Sequence, residues 1–330
     1  MKAVMKAVWY EGFGPAGEVL VHGDMAEPAP GAGEVLVRLH ASGVNPSDVK
    51  LRAGARPGAV MAFPRIVPQS DGAGVIEAVG AGVDAARVGQ RVWLWNGQWR
   101  RQFGTAAEDI ALPAGQAVLL PEGTSFNEAA CFGIPAMTAW AAVLGDGPLN
   151  GRTVLVTGGA GTVGRYAVQM ARLAGAEVIT TVSGPEKAAH AGPADHVINY
   201  REEDVAARVL EITGGRGVER IVEVDFGANI AVTEKIIAER GAIAAYASAA
   251  EMTPSIPFYP LLFRNARLWF LLVYLLDPAM RRRGEAQLTE WLEAGALSHA
   301  VAQTFALADT AAAHRAVEAG EKLGSVVVEI

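Results

Sequence analysis

One short run constrains the fold more than any other. Thr153-Val154-Leu155-Val156-Thr157 is a β-branched, apolar stretch of strand length, and it runs straight into Gly158-Gly159-Ala160-Gly161-Thr162-Val163-Gly164. Residues 162–174 then read as a helix closed by Gly175. A buried strand, a glycine turn and a helix in that order make a βα unit. Gly159, Gly161 and Gly164 carry the G-x-G-x-x-G spacing of a dinucleotide site. On this reading Gly159 makes the tight turn, Gly161 lets the backbone approach a pyrophosphate, and Gly164 lets the helix pack on the strand. Thr162 and Val163 fall in the first helical turn. There the N–H groups lack intrahelical acceptors and the dipole end is positive, so a phosphate is attracted. A plain βα turn can contain three glycines too. The flanking strand and helix are what favour the binding reading.

The alternation continues downstream. Strands are expected at 153–157, 177–182, 195–198, 219–224, 242–246 and 268–273, with helical patterns between most of them. Six strands in βα alternation predict a doubly wound parallel sheet with helices on both faces. The first 125 residues differ. Val35, Val37 and Leu39 alternate with Leu36, Arg38 and His40, and short runs follow at 74–79, 91–94 and 108–112 between Gly, Pro and Asp turns. That spacing predicts a small barrel or compact β-domain. The Ala-rich stretch Asn127 to Leu144 is expected to be helical, as are Glu285 to Ala294 and Asp309 to Ala319. Ser325 to Ile330 reads as a final strand, and this tail is expected to rejoin the first domain. A chain of 330 residues exceeds what one core usually supports. The expected division is residues 1–125 with 267–330, and an inserted domain at 126–266.

Charge narrows the partners. The net charge of −7 opposes nucleic-acid phosphates and anionic lipid, and Arg281-Arg282-Arg283 is too short a basic run to reverse that. No nucleic acid and no membrane are expected as partners. The most apolar segment, Leu268 to Leu276, is far shorter than a bilayer span and reads as a buried strand. A single cysteine, Cys131, cannot form an internal disulfide, and no apolar signal sequence opens the chain. A cytoplasmic location is expected. The opening Met1-Lys2-Ala3-Val4 is repeated as Met5-Lys6-Ala7-Val8, which reads as an alternative start or an added segment.

The second strand bears on which nicotinamide cofactor binds. Sites for NAD carry Asp or Glu at its end to bind the ribose 2′-hydroxyl. Here Glu177 to Val182 ends in Ser183-Gly184-Pro185, and Lys187 follows within a turn. A hydroxyl and a cation suit a 2′-phosphate, so NADPH is the expected cofactor. Glu186 lies nearby, and a solvated Lys187 without a role is the alternative.

Four phrases in order resemble a known family. They are Gly43-Val44-Asn45-Pro46-Ser47-Asp48, then Pro68-Gln69-Ser70-Asp71-Gly72-Ala73-Gly74-Val75-Ile76-Glu77-Ala78-Val79-Gly80, then Gly133-Ile134-Pro135-Ala136-Met137-Thr138-Ala139-Trp140, then the glycine loop. Nearly end to end the chain resembles the zinc-free quinone oxidoreductases, the zeta-crystallin-like branch of the medium-chain dehydrogenase/reductase superfamily. The resemblance implies an α/β fold: a GroES-like β-barrel domain carrying an inserted doubly wound (Rossmann) domain, with the active site in a cleft between them. It puts Thr138 near the nicotinamide, Ser183, Lys187 and Tyr200 near the adenosine phosphate, and Asn45 at the substrate end. A homodimer is implied as well, and the apolar strand from Leu268 to Val273 is suited to pair with its twin.

Against the zinc-dependent relatives, Asn45 stands at the cysteine position and Ser70-Asp71 at the His-Glu pair. A four-cysteine lobe is impossible with one Cys, and His22, His40, His190, His196, His299 and His314 show no ligand spacing, so no metal is expected. Without a metal to polarise a simple ketone, a quinone or conjugated carbonyl is the suited acceptor, because conjugation spreads the incoming charge. Candidate catalytic residues are Asn45, Ser70 and Lys50. Asn45 also reads as a helix cap with Pro46 at the first helical position. Ser70 also reads as a turn residue, and Lys50 and Arg56, where relatives often have tyrosines, also read as solvated. Asp48 and Arg52 are spaced for a supporting ion pair. Cys131 is expected to be buried and inert, and Trp93, Trp95 and Trp99 to pack or line the cleft. Three functions remain open: quinone reduction, reduction of an enone or enal double bond, and an NADPH-binding protein without turnover.

Overall fold

A computed structural model describes residues 4–55 and 58–330. In chain order the strands are β1 (Val4–Trp9), β2 (Val21–Ala26), β3 (Glu34–Val44), β4 (Asp71–Val79), β5 (Arg91–Leu94), β6 (Asp109–Pro113) and β7 (Ala117–Leu119). They continue as β8 (Thr153–Val156), β9 (Glu177–Val182), β10 (His196–Asn199), β11 (Val218–Glu223), β12 (Ile237–Ala245), β13 (Arg267–Phe270), β14 (Val301–Ala306) and β15 (Ser325–Glu329). The chain divides into two compact units. One holds the described residues up to Ile134 with Glu285–Ile330, and the other is Pro135–Gly284. Both breaks fall later than the expected 125/126 and 266/267. Residues 126–134 stay with the first unit because Phe126 stacks on His40 at 4.4 Å and the Ile134 N–H donates to Asp71. Residues 267–270 stay with the second because they form a strand of its sheet.

In the first unit β1 and β2 form an antiparallel ribbon, and the larger sheet runs β14-β15-β3-β4-β5-β7 with β6 also on β3. Every pairing in it is antiparallel except β14 with β15. The alternation in β3 turns Val35, Val37 and Leu39 into a core shared with Ile76, Val92, Leu94, Ile110 and Leu112. Trp93 is fully buried, edge-on to Phe132.

The second unit is one parallel sheet in the order β10-β9-β8-β11-β12-β13, the doubly wound order 3-2-1-4-5-6. Chain order reverses between β8 and β11, which opens a crevice at the carboxyl ends of those two strands. All of β8 is buried, as the unbroken apolar run requires of a central parallel strand.

Two local expectations need correction. The stretch Asn127 to Leu144 is not one helix. It is Phe126–Ala129, then a π turn at Phe132–Ala136, then Met137–Leu144, because Pro135 lacks the N–H that would continue the ladder. The apolar run from Leu268 to Leu276 is not a buried strand either. Its strand part ends at Phe270 and, among the described residues, bonds only to β12, leaving Phe270 63% and Leu275 58% exposed.

Candidate functional site

The glycine loop leaves β8 held on both sides. Toward β9, the Gly158 N–H donates to Thr181 Oγ1 at 3.1 Å and the Gly159 N–H to the Thr181 carbonyl at 3.1 Å. Toward β11, the Thr157 N–H donates to the Val222 carbonyl at 3.0 Å, and Thr157 Oγ1 accepts the Val224 N–H at 2.9 Å. The left-handed residue of the turn is Gly158, at φ +66°, rather than Gly159. Gly159 is small for a different reason: a Cβ there would sit 2.0 Å from Thr180 Oγ1. A Cβ on Gly164 would sit 2.3 Å from the Gly158 carbonyl oxygen, so only glycine lets the helix approach the loop. Gly161 is exposed and meets just one atom, the Gly158 oxygen at 3.3 Å, which leaves its outer side open for a ligand backbone. Thr162 and Val163 open the twelve-residue helix Thr162–Leu173, whose first intrahelical bond runs from Arg165 N to the Gly161 carbonyl. An exposed glycine before a helix N-terminus fits a diphosphate.

Ser183 directly follows β9 and is half-buried. Tyr200 directly follows β10, is 51% exposed, and donates its N–H to the Val182 carbonyl at 3.1 Å. Lys187 is exposed in the helix Pro185–His190. The parallel pairing Asn199↔Val182 therefore brings Ser183 and Tyr200 together at one end of the sheet, with Lys187 a turn beyond. Beyond the carboxyl ends of β12 and β13 lies a cavity of about 400 Å³, walled by Phe226, Tyr246, Met252, Ile256, Phe270 and Leu272. Its mostly apolar walls suit a flat conjugated ring. Thr138 is buried in the helix Met137–Leu144.

In the first unit Asp71 is wholly buried. Its Oδ2 accepts from Asn45 Nδ2 at 2.9 Å and from the Ile134 N–H at 2.9 Å. A Cβ on Gly133 would lie 2.2 Å from Asp71 Oδ1, so a glycine is required beside this carboxylate. Asn45 also sits at the helix start, its N–H donating to Asp48 Oδ2 at 2.7 Å. Its two readings thus meet in one residue: it starts a helix, and its amide is aimed by Asp71. Ser70 is buried, and its carbonyl accepts the Gly97 N–H at 2.9 Å. The preceding Gln69 takes a left-handed φ of +74°, and its side chain accepts from Ser42 Oγ. Lys50 is exposed on the helix Pro46–Arg52, whereas Arg56 lies outside the described residues. Arg52 directs its guanidinium to Glu318 and the Gly14 carbonyl. Cys131 is buried, and burial pushes its thiol up to about 12.

Sequence reasoning missed Thr157 and Thr181, which fasten the loop, Thr180, which ties β9 to the Val156 carbonyl beside Gly159, and Asp71 as the residue that orients Asn45. The signal for the threonines was present: a hydroxyl directly after β8 at Thr157, and two near the carboxyl end of β9 at Thr180 and Thr181.

Comparison with known proteins agrees with both halves of this geometry. A family model described as alcohol dehydrogenase GroES-like domain matches residues 31–122, and one described as zinc-binding dehydrogenase matches residues 162–290. A 2-haloacrylate reductase from Burkholderia sp. is 31% identical over 98% of both chains. A quinone oxidoreductase from Pseudomonas aeruginosa is 31% identical over 94% of this chain and 95% of its own. A solved mycobacterial structure complexed with NADPH superposes with a TM-score of 0.86 at 32% identity, covering 99% of this chain and 100% of its own. The chain is an oxidoreductase that belongs to the quinone oxidoreductase branch of the medium-chain dehydrogenase/reductase superfamily.

Proposed function

We propose that this chain reduces quinones with NADPH, without zinc. The observation that carries the reading is the cofactor loop with an acid-free strand end beside it: β9 leads to Ser183 and Lys187 where an NAD site needs a carboxylate. The NADPH complex of the mycobacterial structure supports the same cofactor. When bound, the dinucleotide supplies a hydride. The chain supplies the rest: the loop and helix N-terminus hold the diphosphate, Ser183, Lys187 and Tyr200 face the 2′-phosphate, and Thr138 borders the nicotinamide. Asn45, Ser70 and Lys50 are the candidates at the acceptor, with Asn45 Nδ2 tethered to Asp71 and so fixed in orientation.

Zinc independence is supported by the ligand set. Asn45 and Ser70-Asp71 occupy the positions expected of metal ligands, and among the described residues no three His, Cys, Asp or Glu side chains converge as a metal site. Without a Lewis acid, an acceptor that spreads charge by conjugation is favoured. A second reading, reduction of an activated carbon–carbon double bond, is favoured by the likeness to the 2-haloacrylate reductase. The protein is further proposed to be cytoplasmic and to form a homodimer through β13. Among the described residues no helix is long and apolar enough to cross a membrane.

The test is NADPH oxidation with a benzoquinone, phenanthrenequinone, a 2-haloacrylate, an enal and a simple ketone, each with and without EDTA. Turnover with the quinones, unaffected by EDTA, is expected. Turnover with the haloacrylate or enal alone moves the assignment to alkene reduction. Binding of NADPH with no turnover of any acceptor makes the protein a non-catalytic binder. Loss of quinone turnover in EDTA, restored by zinc, overturns zinc independence.

A further inference from the structure

Glu223 closes β11 at the crevice between β8 and β11 and is completely buried. A lone carboxylate there is costly unless it is satisfied or neutral. One oxygen is heavily used: Oε1 accepts from Thr157 Oγ1 at 3.0 Å, from the Asp225 N–H at 2.6 Å and from Asn229 Nδ2 at 2.8 Å. The other, Oε2, has no hydrogen-bond partner among the described residues. The Glu223 carbonyl accepts the Tyr246 N–H at 3.1 Å. A single residue therefore ties the end of β8, through Thr157, to the helix Phe226–Ile236, through Asn229, and to the end of β12, through Tyr246.

Thr157 directly precedes the left-handed Gly158, where the cofactor loop leaves the sheet. On the opposite side Thr181 holds Gly158 and Gly159. The loop is clamped between these two groups; on the β11 side the Thr157 hydroxyl accepts the Val224 N–H and donates toward Glu223 Oε1 at 3.0 Å, with the Val222 carbonyl a second acceptor at 3.2 Å. The Glu223 clamp is made by a buried acid that nothing in sheet formation requires.

Resting on the NADPH reading above, we infer that Glu223 is a positioning residue for dinucleotide binding, acting through Thr157 to hold the glycine loop in its binding shape. Burial raises the Glu223 carboxyl above the ordinary range, the nearby Asp225 raises it further, and the hydrogen bonds from Asn229, the Asp225 N–H and Thr157 offset part of this. Asp225 itself is occupied by the Ala249 and Ala250 N–H groups. The clamp needs an acceptor at Oε1 and makes no use of a charge, so glutamine can replace glutamate.

The dissociation constant of NADPH, read by fluorescence titration on the full chain, separates this role from mere support of the fold. Wild-type binding is the control, and its absence defeats the NADPH reading rather than this one. E223L is expected to raise the constant by about tenfold and E223Q by no more than about threefold. T157V removes the other end of the same bond together with the acceptor of the Val224 N–H, so it is expected to weaken binding at least as much as E223L, with the E223L/T157V double variant no weaker than T157V alone. If E223L does not fold, T157V and E223Q still decide. A T157V protein binding like wild type, an E223Q protein as weak as E223L, or additive effects in the double variant would each overturn the inference.

Discussion

At the scale of single residues, the side chains proposed to choose the cofactor do little for the fold. Lys187 is exposed and lies one turn from Ser183. If it reads the 2′-phosphate, Lys187→Ala raises KM for NADPH by about tenfold, the worth of one charge-assisted hydrogen bond, and leaves KM for NADH nearly unchanged. Equal effects on the two cofactors would show that Lys187 is only a surface residue. Such positions are legible in sequence because they sit at a fixed offset from a motif. Glu223 is not. A glutamate at a strand end reads as solvated, and only the burial created by Tyr246 and the helix Phe226–Ile236 turns it inward.

At the scale of elements, legibility follows how fully each element is buried. Strands β8 to β11 were read to within one residue because buried parallel strands form apolar, β-branched runs, whereas β12 starts five residues earlier than expected and the exposed β13 ends three residues earlier. β14 was missed: Val301–Ala306 is an edge strand, mostly exposed, with no alternation to detect. The helix Thr310–Ala319 was found by its pattern, but the polar side it buries was not. It carries His314, wholly buried, with Nε2 3.5 Å from Gln69 Nε2. Burial first, and the Arg52 cation second, push this imidazole down to about 3. The unfolded chain then binds a proton near pH 6.5 that the folded chain refuses, so the contribution is intact above that pH and is lost as pH falls toward 3. The slope is about 1.4 kcal/mol per pH unit in that window. Urea midpoints from neutral to mildly acid pH are expected to fall for the wild type and to fall less for His314→Gln. Parallel curves for the two proteins would remove His314 as the cause.

For the molecule as a whole, the least legible property is what covers the far edge of the parallel sheet. β13 bonds to β12 on one side only, and the surrounding surface is apolar: Phe258, Tyr259 and Phe263 on the neighbouring helix are 64%, 66% and 80% exposed, and Phe270 is 63% exposed. A flat apolar edge is a liability for a lone chain and an asset for a symmetric pair, because two copies related by a two-fold axis can join edge to edge and cover one another. From composition alone this run read as interior, yet in the folded chain it is an exposed edge. Phe270→Lys places a charge on that edge and removes one edge-on contact, with the buried Phe226 at 5.8 Å. Light scattering is expected to give a dimer mass for the wild type and a monomer mass for the variant, with NADPH binding retained because the glycine loop follows β8, three positions from β13 in the sheet. A wild-type monomer, or a dimer that survives Phe270→Lys unchanged, would mean that the edge meets a different partner.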